Sequence, residues 1–186
     1  ENACVAVGMI EYMAENGLGI SVHHIEEGLK NVRWPCRMEL IRKDPNLLLD
    51  GAHTSHSAKR LREAVLNLFP SSQLILVVGL QTNKDLQGVV NELSYLKPNL
   101  VIATKSRHPK AMTPDVIASK FKSLGFETIE TETVDYAMSI AENKSGEQST
   151  IIGTGSLFVA SEIRELVLDI PQETYPVFTH YSEGKK

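Results

Sequence analysis

Residues 47–58, Leu-Leu-Leu-Asp-Gly-Ala-His-Thr-Ser-His-Ser-Ala, decide the fold. Leu47 to Leu49 carry no alternation of polar and apolar positions, so a strand here is covered on both faces, as the strands of parallel sheets are. Asp50-Gly51 then break the run, and from Ala58 the apolar residues Leu61, Val65 and Leu68 follow the 3.6-residue period of a helix. A buried strand that turns at once into an amphipathic helix is the opening of a βαβ unit.

The same alternation continues downstream. Leu74–Val78 reads as a strand, Leu86–Leu96 as a helix, Leu100–Ala103 as a strand and Pro114–Leu124 as a helix. Glu127–Ile129 is a short strand, Val134–Ala141 a helix and Thr150–Ile152 the last strand, with a final helix from Ser156 to about Leu168. Upstream, Met38 and Leu40 face the leucine run across a Lys43-Asp44-Pro45-Asn46 turn. The expected fold class is α/β: a Rossmann-like, mostly parallel sheet with helices on both faces.

A short helical segment precedes it. Val5, Met9, Tyr12 and Met13 recur at helical spacing and stop before Asn16-Gly17-Leu18-Gly19, and Ser21 caps a second helix through Ile25 and Leu29. Trp34-Pro35 marks a boundary. The expected organisation is 1–35 as the helical end of an upstream domain with its linker, 36–170 as the α/β domain, and 171–186 as a weakly ordered polar tail.

Composition narrows the function classes. A net charge of -4 and no basic stripe argue against nucleic acid as a partner. No apolar run approaches the roughly 20 residues that span a bilayer, which argues against a membrane-embedded chain. Cys4 and Cys36 are far apart and outside any CxxC spacing, so neither a disulfide framework nor a zinc site is expected. A reducing compartment is the default expectation, the cytoplasm, or an organelle such as the mitochondrion if a transit peptide was removed. The chain opens Glu-Asn-Ala-Cys without an initiator Met, which makes a piece of a longer polypeptide the expectation.

In an open parallel sheet the ligand site lies at the carboxyl ends of the strands, where helix N-termini and loop amides converge. Asp50 to His53, Gln81 to Asp85, Thr104 to Met112 and Gly153 to Ser156 all fall at that edge. Asp50-Gly51-Ala52-His53 either holds a ribose or amine through its carboxylate with His53 on an anion, or is a capped βα turn in which Asp50 bonds loop amides. Gly153-Thr154-Gly155-Ser156 either cradles a carboxylate or phosphate, or is a tight turn that caps a helix. Phe158 stands where a dinucleotide fingerprint needs its third glycine, and no nucleophile elbow surrounds Ser156, which argues against an NAD site and a hydrolase triad. Asn83-Lys84-Asp85 and the basic run Arg107-His108-Pro109-Lys110 are either anion contacts or solvated loops. Arg37, just past Trp34-Pro35, offers a guanidinium for phosphate or for a surface ion pair.

Six motifs resemble one family in order. They are Glu1-Asn2-Ala3, Trp34-Pro35-Cys36-Arg37-Met38-Glu39, Leu49-Asp50-Gly51-Ala52-His53, Asn83-Lys84-Asp85, His108-Pro109-Lys110-Ala111 and Gly153-Thr154-Gly155-Ser156-Leu157. Together they are similar to folylpolyglutamate and dihydrofolate synthases, the folate branch of the Mur ligase superfamily, over residues 1 to about 168.

The resemblance implies an ATP-dependent ligase that joins L-glutamate to dihydropteroate or a folate through an acyl phosphate. No Gly-x-x-x-x-Gly-Lys-Ser/Thr occurs, so the likeness is to the carboxyl-terminal domain, with the P-loop and the Mg²⁺ ligands expected in an upstream domain of the same chain. By position, Arg37 and Asp50 would contact ATP, His53 and Ser156 would line the glutamate pocket, and Lys84, Asp85, His108, Lys110 and Gly155 would support them. The family usually has Gly at Cys36 and Arg at Lys110, which puts the hinge backbone and a bidentate contact in question. Two other readings share this architecture: a non-catalytic Rossmann-like binding or regulatory module, and a Mur-type ligase acting on peptide precursors.

Overall fold

The computed structural model describes residues 2–175. The chain divides into two compact units, Glu1–Trp34 and Pro35–Lys186.

The first unit is two helices, α1 (Asn2–Glu15) and α2 (Val22–Asn31). α1 stops ahead of Gly17, whose φ of 95° no L side chain adopts readily. Ser21 caps α2 reciprocally: its hydroxyl accepts from the His24 amide, and its own amide donates to His24 Nδ1. Val5, Met9 and Tyr12 of α1 are 63%, 62% and 68% exposed, so α2 leaves its apolar stripe uncovered within this unit.

The second unit begins with β1 (Glu39–Lys43) and β2 (Asn46–Leu49), followed by α3 (Ser55–Leu68), β3 (Gln73–Val78) and α4 (Leu86–Ser94). β4 (Leu100–Ala103), α5 (Pro114–Ser123), β5 (Thr128–Glu130), α6 (Val134–Lys144), β6 (Ser149–Thr154) and α7 (Leu157–Leu168) complete it. The six strands lie in the order β1-β2-β6-β3-β4-β5, with only the β1–β2 hairpin antiparallel. Both faces are covered, as the leucine run requires. Leu48 joins Leu76, Val78 and Ala103 under α3, α4 and α5, whereas Leu47 and Leu49 join Ile75, Val77 and Ile102 under α6 and α7. Successive side chains of a strand point to opposite faces, so a polar residue anywhere in 47–49 would face a helix layer. Each of these buried Leu, Ile and Val side chains contributes about 1.5–3 kcal/mol.

Two of the boundaries that differ from the periodicity bear on the strand ends. α4 ends at Ser94 rather than Leu96, because Lys97 takes a φ of 50° immediately before Pro98, and a residue before proline avoids the α region. β6 extends through Gly153 and Thr154, which pair with Leu49 on one side and with Val77 and Val78 on the other. Beyond α7, Asp169 closes the helix at a φ of 52°, and the Glu173 amide donates to Glu165 Oε1 at 3.1 Å, so residues 170–175 lie against α7. The remainder of the expected tail, 176–186, lies outside the described residues.

Topology opens the site. β2 and β3 flank β6 and hand the chain to α3 and α4 on one face, while β6 hands it to α7 on the other. Where neighbouring strands send their connections to opposite faces, a crevice forms at the carboxyl ends.

Candidate active site

The turn after β2 is built by Asp50. Its Oδ1 accepts from the Ala52 amide and its Oδ2 from the Met38 amide, both at 2.9 Å, while its own amide donates to the Gly153 carbonyl. Gly51 donates to the Cys36 carbonyl at 2.8 Å. The carboxylate therefore ties together the 36–39 turn, the 50–53 loop and the end of β6. Burial raises its pKa from the usual value, opposed by those two amides and by Arg37 and His53 nearby. This is the capped-turn arrangement, with the second lone pair of each oxygen still available.

The 36–39 turn is left-handed at two non-glycine residues, Cys36 with φ 58° and Met38 with φ 46°. Glu39 braces it: Oε2 accepts from the Cys36 amide at 2.8 Å, and both oxygens accept from Arg164 Nε of α7 at 3.1 Å. Cys36 is buried among the α6–α7 side chains, and burial pushes its thiol up to about 11, so it is protonated and inert. Between the two left-handed residues Arg37 is exposed, with no hydrogen bond or ion pair among the described residues.

The crevice holds a cavity of about 130 Å³ lined by His53, Gln81, Lys84, Gly155, Ser156, Leu157 and Phe158. Four candidates from three separate loops meet there: His53, Lys84, Gly155 and Ser156. His53 Nδ1 lies 2.8 Å from the Gly51 carbonyl, and since a carbonyl only accepts, the proton is assigned to Nδ1. Nε2 is thus an acceptor in the neutral ring and a donor in the imidazolium. Ser156 caps α7, its hydroxyl accepting from the Phe158 and Val159 amides at 3.1 and 3.2 Å. The Ser156 and Leu157 amides have no partner among the described residues. They sit beside Gly155, whose φ is 90° and where an added Cβ would lie 2.7 Å from the Gly79 carbonyl oxygen. Free amides at a helix N-terminus, a lysine without an ion pair among the described residues and an imidazole suit an anion of carboxylate size.

The remaining candidates lie elsewhere. Asp85 caps α4, accepting from the Gly88 amide at 2.9 Å. His108 stands one residue back from the cavity: its Nδ1 accepts from the Lys110 amide at 3.0 Å and contacts Gln81 Nε2 at 3.2 Å. Lys110 is exposed. Arg107 is not the free cation its basic run suggests, because its amide donates to Glu162 Oε1 at 2.8 Å and its Nη2 to Glu165 Oε2 at 2.6 Å. Glu162 and Glu165 are buried beneath it, an ion pair in which each partner keeps the other tolerable. Residue-by-residue reading did not single out Gln81, Leu157 or Phe158 as site residues; their signal is position alone, next to the strand ends. Among the described residues no three His, Cys, Asp or Glu side chains converge to hold a metal ion, and no helix is long and apolar enough to cross a membrane.

Residues 36–157 match the family described as Mur ligase, glutamate ligase domain. The chain belongs to this family. The match starts at the left-handed turn and ends at the α7 N-terminus, so it contains all of the strand-end loops described above. Among full-length relatives, a dihydrofolate synthase/folylpolyglutamate synthase of Bacillus subtilis is 26% identical over 167 residues, which are 89% of this chain and 38% of that protein. A probable bifunctional folylpolyglutamate synthase/dihydropteroate synthase of Halobacterium salinarum is 30% identical over 165 residues, 88% of this chain and 19% of that protein. The chain thus spans about two-fifths of the length of the first relative and a fifth of the second. The fold of FolC from Escherichia coli, solved in complex with DHPP and ADP, superposes with a TM-score of 0.81 at 20% identity, covering 90% of this chain and 39% of that one. A bifunctional folylpolyglutamate synthase/dihydrofolate synthase solved with Mn, AMPPNP and L-glutamate bound superposes with a TM-score of 0.73 at 22% identity, covering 82% and 36%.

Proposed function

We propose that this chain is the amino-acid-binding, nucleotide-closing domain of an ATP-dependent ligase that joins L-glutamate to dihydropteroate or a folate. The observation that carries it is the convergence of His53, Lys84 and the Gly155–Leu157 turn on one small cavity at the switch point of a glutamate ligase domain. A glutamate carboxylate would sit on the Ser156 and Leu157 amides, with Lys84 and His53 supplying charge. Arg37, exposed and unpaired among the described residues, would meet the ATP phosphates, and Asp50 would present its remaining lone pairs to the nucleoside.

The reaction joins two bonds in sequence. The acceptor carboxylate oxygen takes the γ-phosphoryl group, leaving ADP; the glutamate nitrogen then attacks that carbonyl carbon, loses a proton and expels phosphate. Here the protein's share is placement and charge neutralisation. The described residues do not fit a Mg²⁺ site, since no carboxylate group converges, and we assign the metal and the P-loop to an upstream domain of the same polypeptide. The compartment proposed is the cytoplasm or a mitochondrion, where thiols such as Cys36 stay reduced.

The test is a ligase assay with the upstream domain joined in one chain, offering dihydropteroate, tetrahydrofolate and a muramyl peptide as competing acceptors. Glutamate-dependent ADP release with a pterin acceptor is expected, and none from the 186-residue chain alone. Turnover by the short chain alone, or a preference for the muramyl peptide, would overturn the reading.

A further inference from the structure

Three aromatic rings cluster beside the cavity, which one of them lines. Phe158, which lines it, lies 4.1 Å from the His108 ring at an interplanar angle of 30° and 4.9 Å from the Tyr175 ring at 80°. His108 and Tyr175 are 5.7 Å apart, and His108 in turn contacts Gln81, a second lining residue. Tyr175 closes this cluster from a segment with no helix or strand, so other contacts must hold it. The Ile170 amide donates to the Glu165 carbonyl at 2.9 Å, the Glu173 amide to Glu165 Oε1 at 3.1 Å, and Arg107 Nη2 to the Glu173 carbonyl at 3.3 Å. The Arg107 guanidinium also lies 5.7 Å from the centre of the Tyr175 ring. The Arg107–Glu162–Glu165 cluster, which the reaction does not use, thus anchors the strap that carries Tyr175.

We propose that Tyr175 is a positioning residue of the amino-acid pocket: its ring clamps Phe158 and His108, and so sets the wall that Phe158 and Gln81 present to the ligand. The hydroxyl is not the working part. It is enclosed beside Glu162 and Ser161 without a hydrogen bond of good geometry among the described residues, and burial, then the Glu162 charge, push its pKa up to about 12, which leaves a neutral ring. Edge-to-face and stacked pairs hold rings at fixed angles, which an aliphatic side chain cannot do. The strap therefore acts on the pocket's shape rather than its charge, and specificity for the amino acid passes through a residue outside every motif named above.

The inference rests on the glutamate reading of the pocket, and the experiment separates the two. In the two-domain polypeptide, Tyr175→Ala and Tyr175→Leu should raise the KM for glutamate about tenfold, the scale of a lost aromatic pair. The KM for ATP should stay within about twofold, and Tyr175→Phe should restore the glutamate KM. Amide exchange read by mass spectrometry should quicken in residues 105–111 and 153–158 of the Ala and Leu variants and not in Phe. An unchanged glutamate KM in both Ala and Leu, or equal rises for glutamate and ATP, overturns the proposal. If the wild type shows no glutamate-dependent turnover, the functional reading fails and the exchange result alone decides the clamp: faster exchange sustains it, unchanged exchange refutes it.

Discussion

Three glycines separate two contributions that usually travel together at a tight turn. Gly125 has φ 86° with nothing within 4 Å of an added Cβ, so Gly125→Ala meets backbone strain alone. Gly79 has no positive φ, yet its Cβ would lie 2.5 Å from the Thr104 carbonyl oxygen and 2.9 Å from Val159 Cγ2, so Gly79→Ala meets contact alone. Gly155 has both: φ 90°, with the Gly79 oxygen at 2.7 Å and Val78 Cγ2 at 2.9 Å. A left-handed L-residue costs about 1–2 kcal/mol, and a forced methyl in a packed site about 1–3 kcal/mol. Alanine offsets about 0.4–1 kcal/mol by narrowing the unfolded ensemble. Gly125→Ala should therefore lose about 1 kcal/mol, Gly79→Ala about 1.3 kcal/mol and Gly155→Ala about 3 kcal/mol, read from urea midpoints at a constant slope. The obstacles at Gly155 are backbone and a strand valine, neither of which can swing aside, so the contact contribution should not relax away. Equal losses at Gly155 and Gly125, within about 0.5 kcal/mol, would refute the claim that the 153–156 turn is set by close backbone approach.

Other consequences are testable in the same way. At Cys36, where φ is 58°, Gly should be at least as stable as Ala by thermal melting, the reverse of the usual order at a buried site, because only Gly relieves the left-handed strain. Asp50→Asn leaves one of two buried amides facing an NH₂ group and should lower stability by about 1–3 kcal/mol, whereas Arg37→Met, which breaks no internal bond, should raise the ATP KM of the two-domain protein without moving its Tm. Burial raises the Glu162 pKa above the ordinary 4.5 despite Arg107, so the folded state holds an extra proton between those two values and stability falls as pH rises through that window. Glu162→Gln should flatten this fall in urea titrations from about pH 4.5 upward, and a wild type that gains stability relative to the variant over that range would contradict it.

The α/β fold was legible because its signal is local. Leu47–Leu49, Leu74–Val78 and the Ala58-Leu61-Val65 spacing each fit inside one window, and the rule that parallel strands expose ligand loops at one edge then placed Asp50, His53 and Ser156 together. What that rule could not supply is which loops share a cavity, since this depends on β6 inserting between β2 and β3. It also missed partnerships with no local pattern. Arg164 holds Glu39 across 125 positions, and Arg107 looked like part of a free basic run because its acids lie 55 and 58 residues on. Tyr175 was hidden in a stretch whose composition reads as tail.

The left-handed turn shows why these distant partners matter. Cys36 and Met38 together store about 2–4 kcal/mol of backbone strain. The offset comes from Glu39 on the Cys36 amide, Asp50 on the Met38 amide and the Gly51 amide on the Cys36 carbonyl, with Arg164 fixing Glu39 from α7. At about 1 kcal/mol each, and more where a carboxylate accepts, these bonds are enough to hold a turn that would otherwise relax. Two of them reach the 50–53 loop, so the turn presenting Arg37 and the loop presenting His53 are one mechanical unit braced on α7. The same helix begins at Ser156. A single helix thus carries the free Ser156 and Leu157 amides at its N-terminus and, about two turns along, the guanidinium that holds the arginine turn in place.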